Sequence, residues 1–89
     1  MNIDKGHKTL FNLLKELRVN AGLRQVDLAK KLRVPQSMIS KYEVGERRLD
    51  LLEVREICSV LEISLVDFIK QLETQLSLAQ HETDTKISK

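Results

Sequence analysis

Four hydrogen-bonding side chains lie on one side of a helix that the sequence predicts over residues 36–43. They follow the spacing i, i+1, i+4 and i+5: Gln36, Ser37, Ser40 and Lys41. The apolar residues Ile39 and Tyr42 occupy the opposite side. A glutamine amide can bond bidentately to adenine, lysine can bond to guanine and serine to either, and a DNA major groove, about 12 Å wide, admits one α-helix. The spacing therefore suits a base-reading face, while an ordinary solvated helix face is the alternative.

Apolar periodicity predicts the helices that must position this face. A first helix over 9–21 has an apolar stripe that Phe11 and Leu13 flank; Thr9 could cap it and Gly22 could end it. The stripe consists of Leu10, Leu14, Leu17 and Ala21. A second helix over 25–33 directs four residues inward: Val26, Leu28, Ala29 and Leu32. The pair Val34-Pro35 then separates it from the third helix.

Two further helices follow a polar connector at residues 46–50. The fourth has the apolar stripe Leu51, Val54, Ile57, Cys58 and Leu61, and the fifth opens after a short turn at Glu62-Ile63, with Ser64 and Asp67 resembling a capping box. The first half of the fifth helix, with Leu65, Phe68 and Ile69, is expected to close the core. The fifth helix also carries a heptad-like seam of Leu65, Ile69, Leu72, Leu76 and Ala79.

The apolar seam of the fifth helix extends beyond the predicted domain, so we divide the chain into four segments. We predict a domain over 9–70, an N-terminal arm over 1–8, an extension over 71–80 and a flexible tail over 81–89. The extension needs an apolar partner, which points to dimerisation through Leu72, Leu76 and Ala79. Folding back of the extension onto its own domain is the alternative.

Composition excludes most other classes of protein. With 89 residues, 3% aromatic residues and one cysteine, the chain suits one small helical domain without a disulfide framework. Cys58 is expected in the core, and neither His7 nor His81 has the spacing of a metal ligand. No motif for catalysis or a cofactor appears. No apolar run approaches the roughly 18 residues of a membrane span, so we expect a cytoplasmic protein with no membrane partner.

Charge is distributed unevenly along the chain, although the net charge is only +2. Residues 1–50 contain eleven basic and six acidic residues, which gives +5, whereas residues 51–89 contain four and seven, which gives −3. A basic first half favours contact with a polyanion. An ordinary solvated surface explains the same distribution, so charge alone does not decide between them.

Residues 23–47 resemble the helix-turn-helix core of the phage Cro and repressor-like regulators, also called the xenobiotic-response-element family. The similarity rests on Gln25, the Leu28-Ala29 pair, Gln36-Ser37, Gly45 and the run from Ile39 to Glu43. It extends from about Thr9 to Ile69. It implies an all-α, compact five-helix, lambda-repressor-like DNA-binding domain, here with an extended C-terminal helix.

The resemblance also implies roles for individual residues. Gln36, Ser37, Ser40 and Lys41 would read bases, and five residues would bind backbone phosphates: Arg18, Arg24, Gln25, Arg47 and Arg48. Arg18 and Glu43 match positions that form a partly buried ion pair. The sequence departs from the family pattern at Met38, Val44 and Arg33. Met38 could contact a thymine methyl group or pack internally, and Arg33, where glycine is common, could need a positive φ.

These observations predict a transcription regulator without a cofactor. Its expected partners are double-stranded DNA and a second copy of the chain, in a homodimer that binds a palindromic operator, with repression as the first choice. A controller of a restriction–modification system, or an antitoxin whose C-terminal helix grips a toxin, is one alternative. A protein-interaction module that keeps the fold without binding DNA is another.

Overall fold

Five helices account for the fold in a computed structural model that describes the backbone of residues 3–87 and the side chains of residues 4–78. They are α1 (Ile3–Asn20), α2 (Gln25–Leu32), α3 (Gln36–Glu43), α4 (Leu51–Val60) and α5 (Leu65–Ile87). The predicted all-α fold with a long last helix is therefore confirmed. No helix in this part of the chain combines the length and apolar character needed to cross a membrane.

The core lies where α1, α3 and α4 meet α2 and α5. It is built from aliphatic residues and a few rings: Phe11, Leu13, Leu14, Leu28, Ala29, Ile39, Tyr42, Val54, Ile57, Cys58 and Phe68. Ile39, Tyr42 and Phe68 are each fully buried, as the periodicity predicts. The rings of Phe11 and Tyr42 lie 6.1 Å apart between centroids, which anchors α3 on α1. Burial also raises the pKa of the Cys58 thiol to about 11, so this residue acts as a small apolar group.

The first four helices end in the same way, with a residue of left-handed conformation. Gly22 and Gly45 take φ values of 76° and 84° at the ends of α1 and α3. Arg33 and Glu62 take 59° and 60° after α2 and α4. At each end the next residue donates its backbone N–H to a carbonyl five positions back, as from Leu23 to Arg18 at 3.2 Å. The positive φ expected of Arg33 is thus present, and Glu62 shares it.

Two helix boundaries differ from the prediction. Helix α1 begins at Ile3, so residues 3–8 of the predicted arm are helical, and the Thr9 hydroxyl donates to the Lys5 carbonyl at 3.1 Å instead of capping the helix. Gly6 does not interrupt α1, because a single glycine costs a helix only about 1 kcal/mol. Helix α5 continues to Ile87 rather than ending near residue 80. No glycine or proline follows Gly45 to stop it.

Three residues expected in the core lie outside it. Ala21 follows the last residue of α1, where the chain leaves the helix, and is exposed. Leu51 is the first residue of α4 and is 61% exposed. Ile69 is 41% exposed because its neighbour Phe68 takes the inward direction. The apolar stripes were therefore predicted correctly at their centres and too widely at their ends.

Candidate nucleic-acid interface

Helix α3 presents the predicted base-reading residues to solvent. Gln36, Ser37 and Lys41 are exposed, and Ser40 is half-buried, with its hydroxyl donating to the Ser37 carbonyl at 3.2 Å. Pro35 precedes the helix with φ −64° and ψ 146°, an extended conformation that lets α3 begin at Gln36. The structure therefore brings these four side chains together on one accessible face.

A buried ion pair fixes the C-terminal end of α3 to α1. The Arg18 guanidinium donates from Nε to Glu43 Oε2 at 2.7 Å and from Nη2 to Oε1 at 3.0 Å. Its third bond runs from Nη1 to the Leu23 carbonyl at 2.7 Å. The side chains of Arg18 and Glu43 are only 8% and 2% exposed. Arg18 therefore holds α3 in place, and its burial does not support the additional phosphate contact that we predicted for it.

Gln25 joins this ion pair from the first residue of α2. Its Nε2 donates to Glu43 Oε1 at 2.9 Å, so the start of α2 and the end of α3 are tied through one carboxylate. A glutamine amide has two N–H groups, and one bond to Glu43 leaves the second to donate elsewhere. The geometry is thus compatible with a phosphate contact by Gln25, and it adds a positioning role that the sequence did not reveal.

Arg24 stands immediately before α2 with its guanidinium on Asp27. Nε and Nη2 each lie 3.0 Å from a carboxylate oxygen of Asp27, and the Arg24 side chain remains 78% exposed. Asp27 also accepts the Arg24 backbone N–H at 2.9 Å, which caps the start of α2. These bonds from Arg24 lower the pKa of Asp27 to about 2. The Arg24 side chain is therefore accessible to a phosphate, but already paired.

The loop after α3 carries the other two predicted phosphate ligands in different environments. Arg47 donates from Nη2 to Glu53 Oε2 at 2.8 Å and from Nη1 to the Arg48 carbonyl at 3.1 Å. This bond from Arg47 holds the pKa of Glu53 below its usual range. Arg48 is exposed and forms no ion pair within residues 4–78. Of these two residues, Arg48 offers the more accessible charge.

A capping box that the sequence analysis missed orders this loop. The Asp50 carboxylate accepts the Glu53 N–H at 2.7 Å, and Glu53 accepts the Asp50 N–H at 2.9 Å. The polar composition of residues 46–50 predicts only a connector. An acidic residue followed three positions later by glutamate, just before an apolar run, was the signal that identifies this box. Through Arg47, the same carboxylate fixes the loop against α4.

The departures from the family pattern take distinct places. Met38 lines a cleft with Leu32, Val34 and Ile57, which favours the packing alternative for its side chain. Val44 caps the C-terminal end of α3 and is 69% exposed. No group of three or more residues able to hold a metal ion occurs in the described part of the chain.

The residues predicted to form the dimer interface lie in different environments in the structure. Leu72 packs against the core of its own domain, whereas Leu76 lies further along α5 and is half-buried. Ala79 lies outside the described side chains. Leu78, beside Leu76, is 59% exposed. The part of α5 that could meet a partner therefore begins after Leu72.

Comparisons with known proteins agree with this architecture. A helix-turn-helix family model matches residues 14–68. An XRE-family like protein from Pseudomonas syringae pv. tomato str. DC3000 is 37% identical, with a TM-score of 0.74 over 80% of this chain and 87% of that one. The clp gene regulator ClgR from Corynebacterium glutamicum is 20% identical, with a TM-score of 0.78 over 93% and 88% of the two chains. No curated protein matches the sequence.

The restriction–modification controller protein C.Esp1396I is also similar. Its wild-type structure is 28% identical and has a TM-score of 0.75, over 80% of this chain and 93% of that one. As a tetramer in complex with its natural 35 base-pair operator it is 29% identical, with a TM-score of 0.72 over 78% of this chain and 91% of that one. The family match, together with the exposed helix α3, thus defines a non-enzymatic, DNA-binding regulator of transcription. The chain belongs to the helix-turn-helix family of the XRE, or Cro and repressor-like, type.

Proposed function

We propose that the protein represses transcription by binding a palindromic operator in double-stranded DNA as a homodimer. The observation that carries this proposal is the face of α3, where Gln36, Ser37 and Lys41 are exposed on a helix that is fixed from behind. Ile39 and Tyr42 are buried on the other side, and Glu43 is held by Arg18. A rigid helix with exposed amide, hydroxyl and ammonium groups can enter a major groove without rearranging.

Base reading and backbone contact involve different residues. Gln36 and Ser37, at the N-terminal end of α3, would lie deepest in the groove, with Ser40 and Lys41 one turn further on. Backbone contacts would come from the start of α2 and the loop after α3, through Arg24, Gln25, Arg47 and Arg48. Such contacts set orientation without carrying sequence information. Similar proteins come from bacteria, where DNA lies in the cytoplasm, so we expect the protein to act there.

Replacement of Gln36 by alanine tests the reading role. We expect Gln36→Ala to weaken specific binding by ~1–3 kcal/mol and to relax base preference at one position. The matched control is Gln71→Ala, which removes an exposed glutamine from α5. Fluorescence anisotropy with an operator selected from a random DNA pool, and with random DNA, separates the two effects. Equal losses of affinity for both DNAs would show that Gln36 does not read a base.

Dimerisation through the later part of α5 is the second component of the proposal. In a two-fold dimer the recognition helices would lie about 34–36 Å apart, which matches successive major grooves on one side of DNA. We expect Leu76→Glu to yield a monomer with greatly reduced operator affinity, and Ser77→Glu, an exposed neighbour, to leave the dimer intact. Sedimentation velocity measures both. A dimer of unchanged mass in Leu76→Glu would refute this interface.

A controller of restriction–modification genes is the second candidate, favoured by the similarity to C.Esp1396I. That protein binds its operator as a tetramer, so a regulator of this kind would occupy more than one pair of half-sites. Selection of bound sequences from a random pool, followed by sedimentation of the complex, distinguishes the candidates. A single palindrome with one dimer favours the simple repressor, and tandem palindromes with two dimers favour the controller.

A further inference from the structure

A cleft of about 340 Å³ lies between the beginning of α1 and the end of α3. Lys8 and Asn12 line it from α1, and Val44 and Arg48 line it from the other side. The cleft is well defined because α1 begins at Ile3, which places Lys8 on a helix instead of on an extended arm. The sequence predicted phosphate binding for Arg48 and no role for Lys8, so it did not connect the two sides of the cleft.

The position of Val44 shows which way the cleft opens. Val44 follows Ser40 by four residues and Ser37 by seven, so it continues the same helical face. It is also 69% exposed and lines the cleft. The cleft therefore opens at the C-terminal end of the face that carries the base-reading residues.

The dimensions of DNA then decide what meets the cleft. With eight residues, α3 is ~12 Å long at 1.5 Å per residue, which is about the width of a major groove. When the exposed face of α3 occupies the groove, the end of the helix reaches the sugar–phosphate backbone that borders it. In such a complex, a phosphodiester would be the group that faces the cleft.

The charges around the cleft suit an anion. Lys8 and Arg48 are exposed on opposite walls, and neither forms an ion pair within residues 4–78. Two acids also line the cleft. Glu43 is only 2% exposed and its charge is balanced by Arg18, whereas Asp4 is exposed near the start of α1. The negative charge of Asp4 therefore opposes anion binding. Removal of this charge should strengthen DNA binding, whereas removal of the Lys8 charge should weaken it.

We propose that a phosphate of the DNA backbone binds in this cleft between Lys8 and Arg48. The ammonium group of Lys8 and the guanidinium group of Arg48 would donate hydrogen bonds to the phosphate oxygens from two sides. This inference rests on the proposed function, since it requires α3 to occupy a major groove. It adds the start of α1 to the DNA-binding surface and makes Lys8 a positioning contact for the recognition helix.

Charge-removing variants test the proposal in the full-length chain. Affinity falls as salt rises, and the loss of one phosphate contact makes the slope of log affinity against log salt shallower by about 0.9. This change corresponds to about a fivefold loss of affinity at 0.15 M salt. The proposed homodimer contains two copies of Lys8, so Lys8→Ala removes two such contacts, and we expect a slope that is shallower by about 1.8 and an affinity that is about thirtyfold lower at 0.15 M salt. Lys70→Ala, which removes an exposed lysine from α5, is the control and should have neither effect. Asp4→Asn should bind more tightly than the wild type.

A neutral phosphate locates the contact on the DNA. Each operator duplex carries one methylphosphonate, which replaces a single charged phosphate by a neutral group. At the position that Lys8 contacts, this replacement should weaken binding of the wild type. The same replacement should leave the affinity of Lys8→Ala unchanged. Thermal unfolding shows whether each variant is folded, and equal midpoints assign the change to binding. If Lys8→Ala and Lys70→Ala bind alike while the wild type still discriminates its operator, the cleft proposal is wrong and the proposed function stands. If the wild type shows no operator preference at all, the proposed function itself fails.

Discussion

Loss of Arg18 is expected to destabilise the domain severely, and Arg18→Met is the variant that shows this best. Methionine is unbranched and extends about as far as Arg18 Nε, so the variant fills part of the space while it removes the charge and all the N–H groups, three of which donate hydrogen bonds in this structure. Glu43 would then keep only the 2.9 Å bond from Gln25, with its side chain 2% exposed. The Leu23 carbonyl would lose its bond as well. The variant therefore leaves a buried carboxylate without a cation.

The magnitude follows from the cost of a buried charge without its partner. Breaking a buried pair on one side costs ~3–5 kcal/mol. At ~0.05–0.15 kcal/mol per residue, a domain of 89 residues has a free energy of unfolding of about 4–13 kcal/mol. The loss is therefore at least about a fifth of the total stability. The same change releases the end of α3, so operator affinity should fall in parallel.

Urea denaturation followed by circular dichroism measures the free energy of unfolding. Lys15→Met is the matched control, because it removes an exposed basic residue from the same helix and should change stability by less than about 0.5 kcal/mol. The double variant Arg18→Met/Glu43→Leu also removes the carboxylate that Arg18→Met leaves buried without a cation. It should therefore recover much of the lost stability. A cost below about 1 kcal/mol for Arg18→Met, or additive costs in the double variant, would refute the reasoning.

Two further predictions concern the helix ends. Arg24 lowers the pKa of Asp27 from its ordinary 3.8 to about 2, so the associated stability is present above pH 3.8 and is lost as the pH falls through 2. In an NMR titration, Arg24→Ala should raise this pKa toward 3.8, and a midpoint that stays near 2 would contradict the assignment. Glu62→Gly should stabilise the domain by ~0.5–1 kcal/mol in urea denaturation, because Glu62 has φ 60° and left-handed conformations cost residues other than glycine ~1–2 kcal/mol. A destabilised variant would show that the Glu62 side chain makes a compensating contact.

The centre of the helix-turn-helix was predictable from sequence because periodicity and punctuation agree there. Ile39 and Tyr42, three residues apart, point inward in any α-helix, and Pro35 marks where the preceding chain must be extended. The same rules failed at the edges of the domain. Neither Thr9 nor Gly6 is a strong enough signal to start or stop a helix, so α1 begins at Ile3. Local sequence thus determined the element type more reliably than its ends.

Contacts between distant residues were accessible only where the family resemblance indicated them. The pair of Arg18 and Glu43 spans 25 positions, and nothing in the local pattern distinguishes these residues from other charged ones. The bond from Gln25 to the same carboxylate was not predicted, since it depends on how α2 crosses α3. The cleft beside Lys8 depends in the same way on the packing of α1 against the end of α3. Such features arise from tertiary geometry, which no periodicity encodes.

The ion pairs also bear on how DNA would be bound. Arg24 and Arg47 are paired with Asp27 and Glu53, so a phosphate that contacts either arginine must share it with a carboxylate or displace that carboxylate. The Arg24 pair is largely exposed, and exposed pairs contribute only ~0–1 kcal/mol, so exchange is inexpensive. Arg48 has no such competitor within residues 4–78. The slope of log affinity against log salt should therefore correspond to fewer phosphate contacts than there are basic residues near the DNA. Arg24 and Arg47, which are already held by carboxylates, should contribute more to the orientation of the protein on DNA than to its electrostatic attraction.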